Sequence, residues 1–304
     1  MQTTQVYDTL WRFAAARQNA YIRRLHGQQP YTLDPIIAKH RFTNCYRIAD
    51  RVSQYLLQRV ILPGEKLSAQ DQIFRVLLFK VFNRIETWEY LEYWCGQIVF
   101  NSIFHVGAAL DSFRAQSSTA IYSAAYMMPQ PAYGRETKHA NHLAWLYDFC
   151  SSRAQMLLNC AQMQQAYHVL LEERGVGEFL AFQYLIDLNY TKLLNFDENE
   201  FVVAGPGALD GISKCFAGSI DPVQAIRYAT ERQDYEFLSR GLRFEKLLGR
   251  LLHLIDVQNL FCEIDKYARV AHPEVATRRT NIKQLYRASS VPMLMPMLPQ
   301  KVKW

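Results

Sequence analysis

The chain has 304 residues, 50% of them hydrophobic, with 34 Lys and Arg against 28 Asp and Glu and a formal net charge of +6. That is enough apolar material for one large domain or two packed lobes; it excludes a disordered chain, and the positive balance favours a polyanionic partner. The six cysteines show no CxxC or His/Cys spacing, no apolar run is long enough to span a bilayer, and the polar start MQTTQVYDTLWR has no signal core. The sequence therefore predicts a cytoplasmic protein with reduced thiols and neither a zinc site nor a membrane anchor.

In chain order, apolar residues recur at three and four positions rather than at two. Arg17, Tyr21 and Arg24 share one helical face, and Arg47 and Arg51 another. In DRVSQYLLQRVIL, Val52, Tyr55, Leu56 and Val60 form an apolar stripe, which predicts an amphipathic helix stopped by Pro63 and Gly64. Ser68, with Asp71 three residues on, is the predicted N-cap of a second long helix through QIFRVLLFKVFNRIETWEYLEYW. Further helices are predicted over 106–116, 140–150, 153–173, 178–189, 222–230 and 235–258, with breaks at MMPQPAYGR and VVAGPGALDG. Residues 291–304, rich in Pro and Met, read as an extended tail. The sum is a mainly α protein: a single helical unit over 1–290, of two packed lobes at about 1–135 and about 136–290.

Two regions carry anion-binding chemistry. A helix ending in YHVLLEER, the turn Gly175-Val176-Gly177 and a helix beginning EFLAFQYLIDL have the form of a helix-hairpin-helix. Glycines allow a tight turn, and the N–H groups opening the second helix suit a phosphate, with Arg174 as a neighbouring cation. The plainer alternative is a C-cap glycine followed by a flexible neighbour. In DNA glycosylases built on this hairpin a catalytic Asp follows the second helix. Here Ala204-Gly205-Pro206-Gly207 stands at that place, flanked by Asp197 and Asp210, so the predicted fold is glycosylase-like but base excision lacks its acid. Gly205, Gly207 and Lys214 in GPGALDGISK offer a second phosphate contact or simply a loop capped by a helix.

The amino-terminal third is dense in side chains that grip anions and bases: Arg17, Arg24, Arg41, Asn44, Arg47, Arg51, Arg75, Lys80 and Asn83, with Asp50 and Glu86 among the acids. Intrahelical ion pairs on solvated faces are the competing explanation for each of them. His139 and His142 are spaced to meet a metal, but no third ligand is identifiable and no metal site is predicted. Arg278, Arg279, Lys283 and Arg287 suggest a face for the nucleic-acid backbone, or solvated charge.

The blocks RQNAYIRR, RFTNCYRIADRVSQYL and FRVLLFKVFNRIETWEYL resemble the helical domain described with phage 5-hydroxymethyluracil DNA kinases, a family also named alpha-glutamyl/putrescinyl thymidine pyrophosphorylase and amino acid:DNA transferase. The resemblance runs from about Arg17 to Lys283. It implies thymidine hypermodification in phage DNA, in the host cytoplasm: a pyrophosphorylated 5-hydroxymethyluracil in double-stranded DNA is attacked by a free amino acid, such as glycine, or by a polyamine, and pyrophosphate leaves. No phosphate loop of the Gly-x-x-x-x-Gly-Lys-Ser/Thr type occurs, so this chain alone is not expected to be the kinase. On this reading Arg17, Arg24, Arg41, Asn44, Arg51, Arg75, Lys80 and Asn83 hold substrate and pyrophosphate. Arg47 stabilises developing charge, and Asp50, Glu86 or Asp187 takes the ammonium proton. Tyr21, Tyr46 and Trp88 offer rings for a flipped base, and Cys45 a covalent route. No cofactor is required, though a divalent cation could assist. A glycosylase for a modified base and a noncatalytic DNA-binding module are the alternatives.

Overall fold

The computed structural model describes residues 1–116, 120–124, 128–275, 280–288, 293–299 and 301. Arg278 and Arg279 lie outside the described residues. Among the described residues the first α-helices are α1 (Gln5–Leu25), α2 (Pro35–Lys39), α3 (Arg51–Tyr55), α4 (Ala69–Phe82), α5 (Ile85–Cys95) and α6 (Ile103–Gln116). They are followed by α7 (Lys138–Ser152), α8 (Ala154–Leu158), α9 (Met163–Leu171), α10 (Glu178–Leu188), α11 (Pro206–Cys215), α12 (Pro222–Ser239) and α13 (Leu254–Ala271). No strand forms among them, only isolated bridges between Thr3 and Phe216 and between His40 and Leu285. The fold is mainly α, as expected.

Helix boundaries depart from the sequence reading where local backbone chemistry intervenes. Ser68 does cap α4, its Oγ accepting the Asp71 N–H at 3.1 Å. The predicted helix beyond it is two helices, because Asn83 adopts a left-handed conformation (φ 48°) that ends α4, and Arg84 is extended. The predicted break at VVAGPGALDG is largely helix: Pro206 sits in the first turn of α11, where its missing N–H costs nothing. The helix predicted over 235–258 does not exist as one element. α12 runs on to Ser239, Gly241 and Gly249 take positive φ, and a new helix begins at Leu254.

The chain divides into two compact units, Met1–Asp50 with Phe201–Pro296, and Arg51–Glu200 with Met297–Trp304. The division does not follow the sequence-based boundary near residue 135, because α1 packs with α11, α12 and α13 from the far end of the chain. In the first unit Leu10, Trp11, Phe13 and Ala14 bury one side of α1, and Trp11 meets Phe237 edge-on at 5.0 Å. α11 lies against α13 at Gly207 and Gly211. A Cβ on Gly211 would overlap the Phe261 carbonyl, and one on Gly207 the Cys262 sulfur, so both positions need glycine for close approach. Beside this contact Lys214 is buried in an ion pair with Asp265 at 2.6 Å.

The second unit is organised on α4, buried from Gln72 to Phe82 and packed against α7 and α10. Before it, Leu56–Ile61 forms a π-helical turn, and Arg75 fills the space beside it. Its guanidinium donates to the carbonyls of Val60 (3.0 Å), Ile98 (2.9 Å) and Arg59 (3.4 Å), and lies over the Trp88 ring at 5.1 Å. Lys80 and Asp187 form a buried pair at 2.8 Å joining α4 to α10.

Candidate functional site

Arg17 and Tyr21, one turn apart on α1, stand on the face of the helix turned to residues 42–50. Arg17 Nη2 donates to Asn44 Oδ1 at 2.5 Å and to the Phe42 carbonyl at 3.3 Å. Asn44 closes the segment on itself: its Nδ2 donates to the Ala49 carbonyl at 2.8 Å and its backbone N–H to Asp50 Oδ1 at 2.8 Å. Between them Arg47–Ala49 form a single 3₁₀ turn that ends at Asp50. The Arg47 N–H donates to Asp256 Oδ1 at 2.8 Å, and Asp256 Oδ2 takes the His253 N–H at 3.0 Å and the Arg250 guanidinium at 3.2 Å. α13 thereby holds the turn in place.

The electrostatics converge on Asp50. Burial pushes its carboxyl up from the ordinary 3.8 to about 6. The Asn44 N–H, Arg17 and Arg47 pull it down, while the Glu263 carboxylate pushes it up. Asp50 as a residue keeps part of its surface in water although its carboxyl is enclosed by these groups. Glu263, buried on α13, accepts the Thr43 N–H at 3.2 Å and the Lys266 ammonium at 2.5 Å. Burial pulls the Arg17 guanidinium below its usual value, an effect opposed by nearby Cys45, Asp50 and Glu263. The arrangement is a carboxyl able to exchange a proton near neutrality, flanked by buried guanidinium groups.

Several predicted roles do not survive this placement. Cys45 is fully buried, donates to the Ala14 carbonyl and has its thiol pushed up to about 12 by burial, so it offers no thiolate for a covalent route. Tyr21 and Tyr46 are buried, with the Tyr46 hydroxyl on the Arg250 carbonyl at 2.6 Å, and Trp88 is buried beneath Arg75; none has a ring face open to a base. The Arg75 donors go to backbone carbonyls, and Lys80 and Asp187 neutralise each other in the interior, so these three are structural rather than a pyrophosphate grip and a base. Asn83 is buried at the end of α4. Lys214 is committed to Asp265, and Gly207 serves helix packing; neither is a surface phosphate contact. Gly205 is likewise buried, as the N-cap of α11.

Other candidates remain accessible. Arg41 is exposed, and Arg24 sits over the rings of Tyr31 (5.5 Å) and Tyr286 (5.2 Å) in the first unit. Arg51 and Glu86 belong to the second unit and are exposed. Glu86 is held below the usual carboxylate range by its own N–H and by Arg84, which makes it a weak base. His139 is bonded to Asp111 at 2.8 Å, and His142 to the Tyr122 hydroxyl and the Pro129 carbonyl, so both imidazoles are engaged without a metal. Among the described residues no group of three or more His, Cys, Asp or Glu is placed to hold a metal ion, and no helix is long and apolar enough to cross a membrane.

In the second unit α9 and α10 are joined by an exposed turn. Gly175 has φ 81°, and a Cβ there would press on Pro131 at 3.1 Å. Gly177 is the N-cap of α10 and has no side chain to accept the first-turn N–H groups, while Arg174 stands exposed beside it. Glu263 and Asp256 are the functional candidates that sequence reasoning missed. Glu263 lies more than two hundred residues from Thr43 and Asp256 as far from Arg47, and a charged residue on an amphipathic helix carries no sign of burial.

Comparison with known proteins bears on this geometry. A curated relative, the "5-hmdU DNA kinase" of Bacillus phage SP10, is 24% identical over 328 residues, covering 97% of this chain. The chain spans only 51% of that relative's length. No solved structure matches. The family model of the 5-hmdU DNA kinase helical domain matches residues 4–277, a span that holds the Arg17–Asn44–Asp50 cluster, its Glu263 neighbour and the glycine turn, and the chain belongs to that family.

Proposed function

We propose that the chain is a transferase of phage DNA thymidine hypermodification, replacing pyrophosphate on 5-pyrophosphoryloxymethyl-deoxyuridine with the amine of a free amino acid, such as glycine, or of a polyamine. The observation that carries this reading is Asp50, a carboxyl at about 6 beside Arg17 and Arg47. At neutral pH it is ionised yet basic enough to take a proton from an incoming ammonium. The nitrogen lone pair then forms the C–N bond to the exocyclic methylene, the C–O bond breaks, and its electron pair leaves with pyrophosphate. Arg17 and Arg47 supply positive charge where negative charge develops; Asn44 fixes the Arg17 guanidinium beforehand, and Asp256 holds the backbone of the turn that carries Arg47. No cofactor is needed for this displacement, and a divalent cation could assist the leaving group.

The DNA side of the reading rests on the exposed turn at Arg174, Gly175, Val176 and Gly177, where backbone N–H groups and one cation suit a phosphate without reading sequence. The relative's name joins a kinase to 5-hmdU DNA, and the modified thymine is the element it shares with this proposal. The experiment is to incubate the protein with DNA carrying the pyrophosphorylated base and pools of amino acids or polyamines, then digest to nucleosides for mass spectrometry. A new amine-bearing nucleoside with released pyrophosphate supports the transferase and names the donor. Loss of the base would identify a glycosylase, and tight binding of unchanged DNA a noncatalytic module.

A further inference from the structure

Asn189, just past α10, is fixed by the chain's own backbone: its Nδ2 donates to the Phe196 carbonyl at 3.1 Å and its Oδ1 accepts the Phe196 N–H at 3.0 Å. The remaining acceptor capacity of Oδ1 takes the Lys301 ammonium at 2.8 Å. Glu198, 4% exposed, supplies the negative charge. Burial pulls the Lys301 ammonium down to about 8, and Glu198 works against that fall. Asn189 is 1% exposed, so the oxygen that meets the ammonium is almost fully buried, and the buried Glu198 carboxylate is near enough to act on that charge. Because Phe196 holds the Asn189 amide on both sides, that acceptor does not depend on Lys301 for its position.

Ahead of the lysine, Pro296 and Pro299 are buried. Gln54 exchanges two hydrogen bonds with the Met297 backbone, at 2.8 and 2.9 Å, and Met297 itself is 41% exposed. The Asn189 acceptor stays in place if the Lys301 side chain withdraws, because its partners belong to Phe196. Whatever replaces it must offer what Lys301 offers, a primary ammonium on a slim alkyl stem. We propose that Asn189 and Glu198 form a binding site for a primary alkylammonium group, occupied here by Lys301, so that the tail and a free alkylamine compete for it. This inference needs no assumption about the transfer reaction.

Lys301→Ala removes the atoms that n-propylammonium would restore. Thermal melts of this variant in n-propylammonium chloride, compared with tetramethylammonium chloride at equal ionic strength, test the site directly. At tenfold over the dissociation constant the melting temperature rises by about 2–4 °C in the primary amine alone. Wild type, with its own lysine in place, and Lys301→Met, whose stem takes the place of the lysine stem without a donor, show no such rise. Equal effects of the two cations on Lys301→Ala, or the same amine-specific rise in wild type and Lys301→Met, would overturn the proposal. Refolding yield from urea in the two salts gives the same comparison for a Lys301→Ala chain that does not fold unaided.

Discussion

Asp50→Asn separates what the carboxyl costs the fold from what it does in the site. Raising a carboxyl from 3.8 to about 6 means that the folded state favours the protonated form. The cost is therefore absent below pH 3.8, grows as pH rises through about 6 and is constant above. At 1.36 kcal/mol per pH unit, the plateau is at most about 3 kcal/mol, reduced by the water that reaches Asp50. Asparagine keeps an oxygen for the Asn44 N–H but carries no charge, so urea unfolding should show the variant more stable than wild type at pH 8 by up to that amount. The difference should vanish near pH 4. The same substitution should lower amine transfer by about 100-fold or more, because the proton acceptor is gone. A variant destabilised equally at both pH values, or one that transfers amine at the wild-type rate, would refute the reasoning.

Glu263→Gln removes a charge that holds the Asp50 carboxyl up, so the acid limb of the pH–rate profile for amine transfer should move to lower pH; a drop in rate with an unmoved limb would assign Glu263 a packing role only. Gly175→Ala places a Cβ against Pro131 at a positive φ, straining the turn by about 1–2 kcal/mol, and should weaken DNA binding in a filter or anisotropy assay without moving the pH profile. Gly211→Ala should destabilise the protein by about 2 kcal/mol or more in urea, since the Phe261 carbonyl of α13 has nowhere to retreat.

Much of the fold is legible where the local chain decides it. Ser68 and Asp71 mark the start of α4 because a short oxygen three residues ahead of an N–H is itself the cap. Asn83 is legible only in retrospect: it lies inside an unbroken apolar period, and the left-handed turn that splits the helix depends on what packs around it. Arg17, Asn44, Arg47 and Asp50 can be picked out together because they are close in sequence and suited to anions. Nothing in their spacing separates them from Arg75, Lys80 or Lys214, which carry the same chemistry into the interior to hold carbonyls and carboxylates. Burial does not make that distinction, since Arg17 and Arg47 are as buried as Arg75, Lys80 and Lys214; it is made by the tertiary neighbours, which gather Arg17, Asn44 and Arg47 around the Asp50 carboxyl. Glu263 and Asp256 lie beyond any local pattern because the contact that makes them matter is tertiary.

The discontinuity of the first unit has a consequence for the order of folding. Asp50 and its neighbours on α1 leave the ribosome first, while Glu263 and Asp256 follow only after the residues numbered 51–200. Closing an unstructured stretch of that length costs about 4 kcal/mol, growing with the logarithm of its length. Residues 51–200 are continuous and can collapse by themselves during synthesis, which shortens the effective loop before α11 and α13 arrive. The Asp50 cluster is thus completed among the last events of folding, and a nascent or prematurely terminated chain carries the guanidinium groups without the helix that packs against them.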